Sequence, residues 1–438
     1  MRANRPLSLL TAAATLAVAP IALSAQAHAA GSLYVAANGL DTNAGTATAP
    51  LKTVQAAVNK ATPGTTILIG PGTYTGPIRI KTSGTAAAPI RVTALTPGTV
   101  ALTHASKAVS CDNSKPAADR TITIGQGADY WQFDNLAIHN GIWIAGKKSN
   151  IAYGWLTNLV KAENYVTRRA VPGHGAYNPG ALPNVIPYLR SVTGTADLDS
   201  ADGITILNNA FTGRGVYGAL TSNGVIANNT FRDIPCGIGP GIWLMTFSNN
   251  WKITGNDVTD IAPSTRAHYM QEGIRLGSAA NYNEVSGNFV HDLPGDGRGV
   301  NTDVDSSWNY IHHNRVDNVA IGYNDQMSGW GNRWEYNTVN NYRVYGMGFR
   351  LMDAKLTSPS RASSSNGAIV RCNVATGAVG TAKALGVGGM LNARFTGNNL
   401  PLIWLSKNLQ TYWSAQNNQW NGSPALPSKN PEHISTGC

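Results

Sequence analysis

Ile206-Leu-Asn-Asn209-Ala-Phe211, Val225-Ile-Ala-Asn-Asn229-Thr-Phe231, Ile253-Thr-Gly-Asn256-Asp-Val258 and Val285-Ser-Gly-Asn288-Phe-Val290 are versions of one phrase. An apolar residue is followed by Asn and then, two positions on, by a second apolar residue. Ile311-His-His-Asn314-Arg-Val316, Trp334-Glu-Tyr-Asn337-Thr-Val339 and Phe395-Thr-Gly-Asn398-Asn-Leu400 repeat it, and Ile369-Val-Arg-Cys372-Asn-Val374 fits with Cys in the Asn place. Upstream stands a glycine with an apolar follower: Gly215-Val216, Gly241-Ile242, Gly273-Ile274, Gly299-Val300 and Gly322-Tyr323. The glycine precedes the Asn by 14 residues once (215 to 229) and by 15 four times (241 to 256, 273 to 288, 299 to 314, 322 to 337). Strand-like segments at a fixed offset, with variable lengths elsewhere, are what a solenoid coil requires. Stacked coils bring like positions into columns, apolar ones inside. A column of Asn at a bend can satisfy the bend's backbone and bond the next Asn, and Asn tolerates the left-handed backbone of such bends. The fold read from this is all-β, a right-handed parallel β-helix with regular coils over 194–400. A sandwich or propeller would not keep one Asn per period at a fixed offset.

Working outward, Thr53-Val-Gln-Ala-Ala-Val-Asn-Lys-Ala61 has the spacing of a short amphipathic helix, apolar at Val54, Ala57, Val58 and Ala61. Within 31–75 it would cap the open end of the solenoid and hide its bare strand edge. The stretch 171–187, rich in Pro, Gly, Asn and Tyr, reads as a loop outside the coils, and 401–438 as a C-terminal cap and tail. Residues 1–30 read as an export signal: Arg2 and Arg5, an apolar run from Leu7 to Leu23, then Ala27-His28-Ala29. Residues 31–438 then form one secreted domain, expected to be a monomer with no membrane span. Cys111, Cys236, Cys372 and Cys438 are an even set in an exported chain, able to form two disulfides in three connectivities. No Cys or His spacing points to zinc.

Lys and Arg number 33 against 23 Asp and Glu, and charged residues are 13% of the chain. That is too sparse for a disordered polyelectrolyte. A modest positive excess suits an anionic partner such as a uronic-acid polysaccharide. The absence of a basic cluster argues against nucleic acid.

The opening block, Tyr34-Val-Ala-Ala-Asn-Gly39 through Thr53-Val-Gln-Ala-Ala-Val58 to Pro71-Gly-Thr-Tyr74, resembles that of secreted right-handed β-helix proteins, among them polysaccharide lyases acting on pectin, alginate or chondroitin-type chains. The resemblance covers nearly all of the chain after the signal and implies the fold. The same scaffold carries glycosidases, epimerases and adhesins, so the activity must come from the site. Asn301-Thr302-Asp303 is also similar to the Asn-Thr-Asp of polygalacturonase-type glycosidases, and Asn324-Asp325 stands where those enzymes carry paired aspartates. Gly346-Met347-Gly348 departs from their Gly-His-Gly, and their Arg-x-Lys has no counterpart here.

Aligning the glycines, with Gly348-Phe349 as the sixth pair, gives an outward column Tyr217, Trp243, Arg275, Asn301, Asn324, Arg350. A second outward column reads Ala219, Met245, Gly277, Asp303, Gln326, Met352. This describes a sugar groove. Tyr217 and Trp243 would stack on pyranose faces, Asn301 and Asn324 would bond hydroxyls, and Arg275 and Arg350 would pair with carboxylates. Cleavage of a uronic acid by β-elimination needs its carboxylate neutralised, a base at the C5 proton and a proton for the leaving oxygen. Arg275, or a Ca2+ ion held by Asp296, Asp303 and Asp305, would neutralise. Arg275, Arg350, His268 or His291 would serve as base. Hydrolysis would instead use Asp303 and Asp325, although strict alternation turns Asp325 inward. A third reading is a non-catalytic carbohydrate-binding or structural β-helix. Against these stand plainer readings: Arg275 with Asp303 as a surface ion pair, Glu272 with Arg298 as a structural pair, His312 and His313 as bend residues, and Asp41 as part of a turn.

Overall fold

The computed structural model describes residues 31–106, 119–125, 127–145, 201–235, 239–245, 248–262, 271–277, 280–303, 306–326, 331–349, 367–406, 413–415, 417–425 and 438. Short parallel strands stack into a right-handed β-helix with three faces. One coil is Val225–Ala227, Thr230–Phe231 and Ile242–Met245, one strand to each face. The first face is a sheet of thirteen strands in chain order, from Ser32–Val35 to Gln419–Trp420. The stacking therefore reaches beyond 194–400 at both ends. The stretch read as an N-terminal cap already supplies the first rungs, because Ser32–Val35 pairs in parallel with Thr66–Ile69. The second and third faces are joined into one sheet where Arg315–Asp325 and Thr338–Phe349 run round the corner between them. The loop predicted at 171–187 lies outside the described residues.

The inward columns are apolar. Ile206, Ile226, Ile253, Val285, Ile311, Trp334, Val370 and Phe395 follow one another on the first face. Ile142, Val216, Ile242, Ile274, Val300, Tyr323 and Met347 do so on the third. All are buried in one continuous core.

The bend between first and second faces carries the Asn ladder. From Asn209 through Asn229, Asn256, Asn288, Asn314, Asn337 and Asn373 to Asn398, each backbone N–H donates to Oδ1 of the next at 2.9–3.1 Å. Each Nδ2 also reaches a carbonyl one coil back, as Asn288 does to Ile253 at 2.9 Å. The rung in the penultimate coil is Asn373, not Cys372, because Trp334 pairs with Val370 rather than Ile369. The left-handed residue is the one before the ladder Asn: Asn208, Asn228, His313, Tyr336 and Cys372 lie at φ 53–55°, and Gly255, Gly287 and Gly397 at 62–64°. Cys372 is disulfide-bonded to Cys438, while Cys111 and Cys236 lie outside the described residues.

The glycine column has a steric cause. A Cβ on Gly215 would sit 1.7 Å from the carbonyl oxygen of Gly241, and one on Gly322 would sit 2.5 Å from that of Gly346. The sixth glycine is thus Gly346, not Gly348. The partner strand carries one extra residue between Val319 and Ile321, so Gly322 aligns with Gly346, two residues before the glycine chosen from the sequence.

The predicted helix spans Val54–Lys60, with Thr53 capping it by accepting from the Ala56 N–H and with Val54, Ala57 and Val58 buried. Asp41 anchors that cap. Its carboxylate accepts from the backbone N–H groups of Lys52 and Thr53 and from the Thr53 hydroxyl. No helix among the described residues is long and apolar enough to cross a membrane.

Candidate functional site on the third face

The outward column of the third face runs, rung by rung, Arg79, Thr123, Trp143, Tyr217, Trp243, Arg275, Asn301, Asn324, Gly348. The sequence placed Tyr217, Trp243, Arg275, Asn301 and Asn324 in register, and the strands hold them so. Gly348, not Arg350, is the next rung after Asn324; Arg350 lies outside the described residues.

The column departs from an open groove in one respect. Tyr217, Trp243, Arg275, Asn301 and Asn324 are all buried, none more than 6% exposed. They do not belong to the solenoid core: Trp143, Tyr217 and Trp243 lie outside that cluster. They form a second buried strip on the outer side of the sheet. Alternation along a strand decides which side a residue faces and says nothing about what covers it.

The strip is held by ring contacts and ion pairs. Trp143 meets Tyr217 edge-on at 6.4 Å, and Tyr217 meets Trp243 edge-on at 5.5 Å. The Arg120 guanidinium lies 4.1 Å over the Tyr217 ring, and that of Arg275 lies 5.3 Å from the Trp243 ring, the geometry of cation–π attraction. Arg275 is clamped from two sides. Its Nη1 donates to Glu272 Oε1 at 2.9 Å and its Nη2 to Asp303 Oδ2. The expected Arg275–Asp303 pair therefore exists but is buried, where losing either partner leaves an uncompensated charge. Glu272 is the rung neighbour of Arg298, as expected, yet that contact is 3.9 Å and the shorter one is to Arg275. Asn301 donates to Glu272 Oε1 at 3.4 Å and accepts from Asn324 at 2.6 Å. Glu272 Oε2 is buried with no hydrogen-bond partner. Burial pushes the Glu272 carboxyl above its ordinary range, against the pull of Arg275 and Arg298.

At the other end, Arg120 and Arg214 are both about 1% exposed, with Asp119 3.6 Å from Arg214. Burial, reinforced by the neighbouring Arg214 guanidinium, lowers the Arg120 pKa to about 10. Sequence reasoning missed this cluster and also Trp143. The signal for Trp143 was available: Gly141-Ile-Trp-Ile144 repeats Gly241-Ile-Trp-Leu244.

The hydrolase pair is not assembled. Asp303 faces outward beside Arg275. Asp325 pairs with Thr302 and Phe349 in the inward column and is fully buried, with no bulge at that rung. The two carboxyls lie on opposite sides of one sheet and cannot flank a sugar bond. His291 is on the second face, bonded to Asp257 and Asp292, away from Arg275. His268 lies outside the described residues.

The calcium reading finds no site among the described residues, where no group of three His, Cys, Asp or Glu side chains is arranged to hold a metal ion. Asp303 is engaged by Arg275, Asp296 stands on an exposed turn, and Asp305 lies outside the described residues.

Residues 33–169 match the family model for the Pel9A-like right-handed β-helix region, and residues 189–349 match that of the periplasmic copper-binding protein NosD. Over 309 residues the chain is 32% identical to pectate lyase PEL9 of Emericella nidulans, covering 60% of this chain and 72% of the relative. Among solved structures, pectate lyase Pel9A superposes with a TM-score of 0.41 at 14% identity, covering 93% of this chain and 90% of that one. An alginate lyase from a Paenibacillus species gives 0.40 at 14%, covering 84% and 95%. With nearly a third of positions identical across most of a relative's length, this chain belongs to the pectate lyase PEL9 family of right-handed β-helix proteins.

Proposed function

We propose that this polysaccharide lyase-like β-helix protein works outside the cytoplasm, cleaving a uronic-acid polysaccharide by β-elimination. The observation that carries the reading is the identity to a pectate lyase over 60% of the chain. The Cys372–Cys438 disulfide supports an oxidising compartment.

In such a reaction the C5 proton passes to a base and the C4–O bond breaks. A C4–C5 double bond forms, and the departing oxygen takes up a proton. On the third face, Arg275 is buried and already paired with Asp303 and Glu272, so it would hold these carboxylates in place beside the substrate rather than bind the uronate itself. Trp243, Asn301 and Asn324, buried in the same strip, would support such a site from beneath.

The test is incubation of the purified protein with pectate, alginate, glycosaminoglycan and glucuronan, with and without chelator. Ultraviolet absorbance of an unsaturated uronide is expected with at least one polymer and is expected to vanish in Arg275→Ala. New reducing ends without that absorbance would make the protein a hydrolase. Retention on a polysaccharide column with neither product would make it a binder.

A further inference from the structure

The third face is open at its first rung. Strand Ile78–Ile80 pairs with Ile122–Ile124, with Ile78 and Ile80 buried and Arg79 exposed between them. Lys81 follows as a second exposed residue. Helix Val54–Lys60 packs beside this strand, and between them lies a cavity of about 630 Å³, within the range of small-ligand sites. Its walls include Gln55, Val58, Asn59, Arg79, Lys81 and Thr82.

The walls are fixed and their charge is unmet. Gln55 Nε2 donates to the Arg79 carbonyl at 3.0 Å, and the Arg79 N–H donates to Gln55 Oε1 at 2.6 Å. Gln55 Nε2 also donates to Asn59 Oδ1 at 2.8 Å. One amide thus holds both backbone groups of Arg79 and leaves its side chain to the cavity. Neither the Arg79 guanidinium nor the Lys81 ammonium has a hydrogen-bond or ion-pair partner among the described residues. Among the described residues no acidic side chain lines the cavity.

We infer that this cavity is a distal subsite for a carboxylate-bearing sugar. Arg79 would take the carboxylate through its planar fork and Lys81 would add a point charge. Asn59 and Thr82 supply groups that bond hydroxyls, and Val58 supplies an apolar patch. Arg79 stands in the same column as Arg275, five rungs away, or about 24 Å at the spacing of parallel strands. The inference rests on the reading of an acidic polysaccharide as substrate.

The test is calorimetric titration of wild type and the double variant Arg79→Ala/Lys81→Ala with hexamers of galacturonate and mannuronate and with neutral cellohexaose. Circular dichroism confirms the fold. Tenfold or greater weakening toward an acidic hexamer is expected in the double variant, with no change toward cellohexaose. Equal affinity in the two proteins, or no binding of either acidic hexamer by wild type, would overturn the inference. A wild type that makes no unsaturated product yet binds an acidic hexamer through these two residues would remove the lyase reading and leave the subsite standing.

Discussion

Arg79 and Arg275 occupy one column, five rungs apart, and differ in what surrounds them. Arg275 is 6% exposed and bonded to Glu272 and Asp303. Arg79 is exposed, with only its backbone engaged. The same residue type in the same register is internally neutralised at one end and unpaired at the other. The difference teaches that a column of cations is not by itself a binding surface; what matters is whether the protein has already supplied the counter-ions.

The largest effect expected from breaking this contrast is on stability. Arg275→Met leaves Glu272 and Asp303 buried without their cation, so it should destabilise by about 3–5 kcal/mol. Arg79→Met should cost less than about 0.5 kcal/mol, as exposed substitutions do. Urea titration of both variants measures the two numbers side by side, and equal effects would erase the distinction.

Next in size is the Asn ladder, whose side chains bond the backbone and one another. Asn288→Ala deprives the Asn256 N–H and the Ile253 carbonyl of buried partners. At about 1–2 kcal/mol for each of these two neutral groups, the lower part of the range for an orphaned buried group, a loss of about 2–4 kcal/mol is expected. The same denaturation experiment checks it, and a change under about 1 kcal/mol would show that the ladder is dispensable.

The smallest effect is that of pH. Burial holds the Glu272 proton to a higher pH in the folded protein than in the unfolded chain. The folded state therefore binds more protons over that interval, and stability falls as pH rises from the ordinary value of 4.5 through the raised one. Glu272→Gln cannot titrate, so its thermal midpoint should lack that part of the decline. Parallel pH profiles for wild type and variant would argue against a raised Glu272.

How much of this was legible depends on what each signal encodes. The Asn phrase and the glycine offset report backbone constraints, a bend to satisfy and a carbonyl to clear, so they gave the coils and the register of Trp243, Arg275, Asn301 and Asn324. The count failed where Gly346-Met-Gly348 offers two glycines: Gly346 is the stacked one, so Gly348 stands in the place predicted for Arg350. A second ladder went unread although its signal is present. Asn283, Asn309 and Asn332 each stand two residues before an inward apolar residue, and the backbone N–H of each of the first two donates to the next Asn at 2.9 Å. Alternation turned Asp325 inward correctly. Burial of the outward strip was not legible, because period two fixes the face and not the cover. Arg79 and Lys81 were missed because no repeat phrase marks the first coil and their lack of counter-ions is a three-dimensional fact.

The most direct test of the central claim, that Arg275 is neutralised by carboxylates of its own chain, is a double-mutant cycle in urea with Arg275→Met and Asp303→Asn. A coupling energy of about 2–3 kcal/mol is predicted for a buried, hydrogen-bonded pair. A coupling below about 0.5 kcal/mol, the scale of a solvated surface pair, would contradict it.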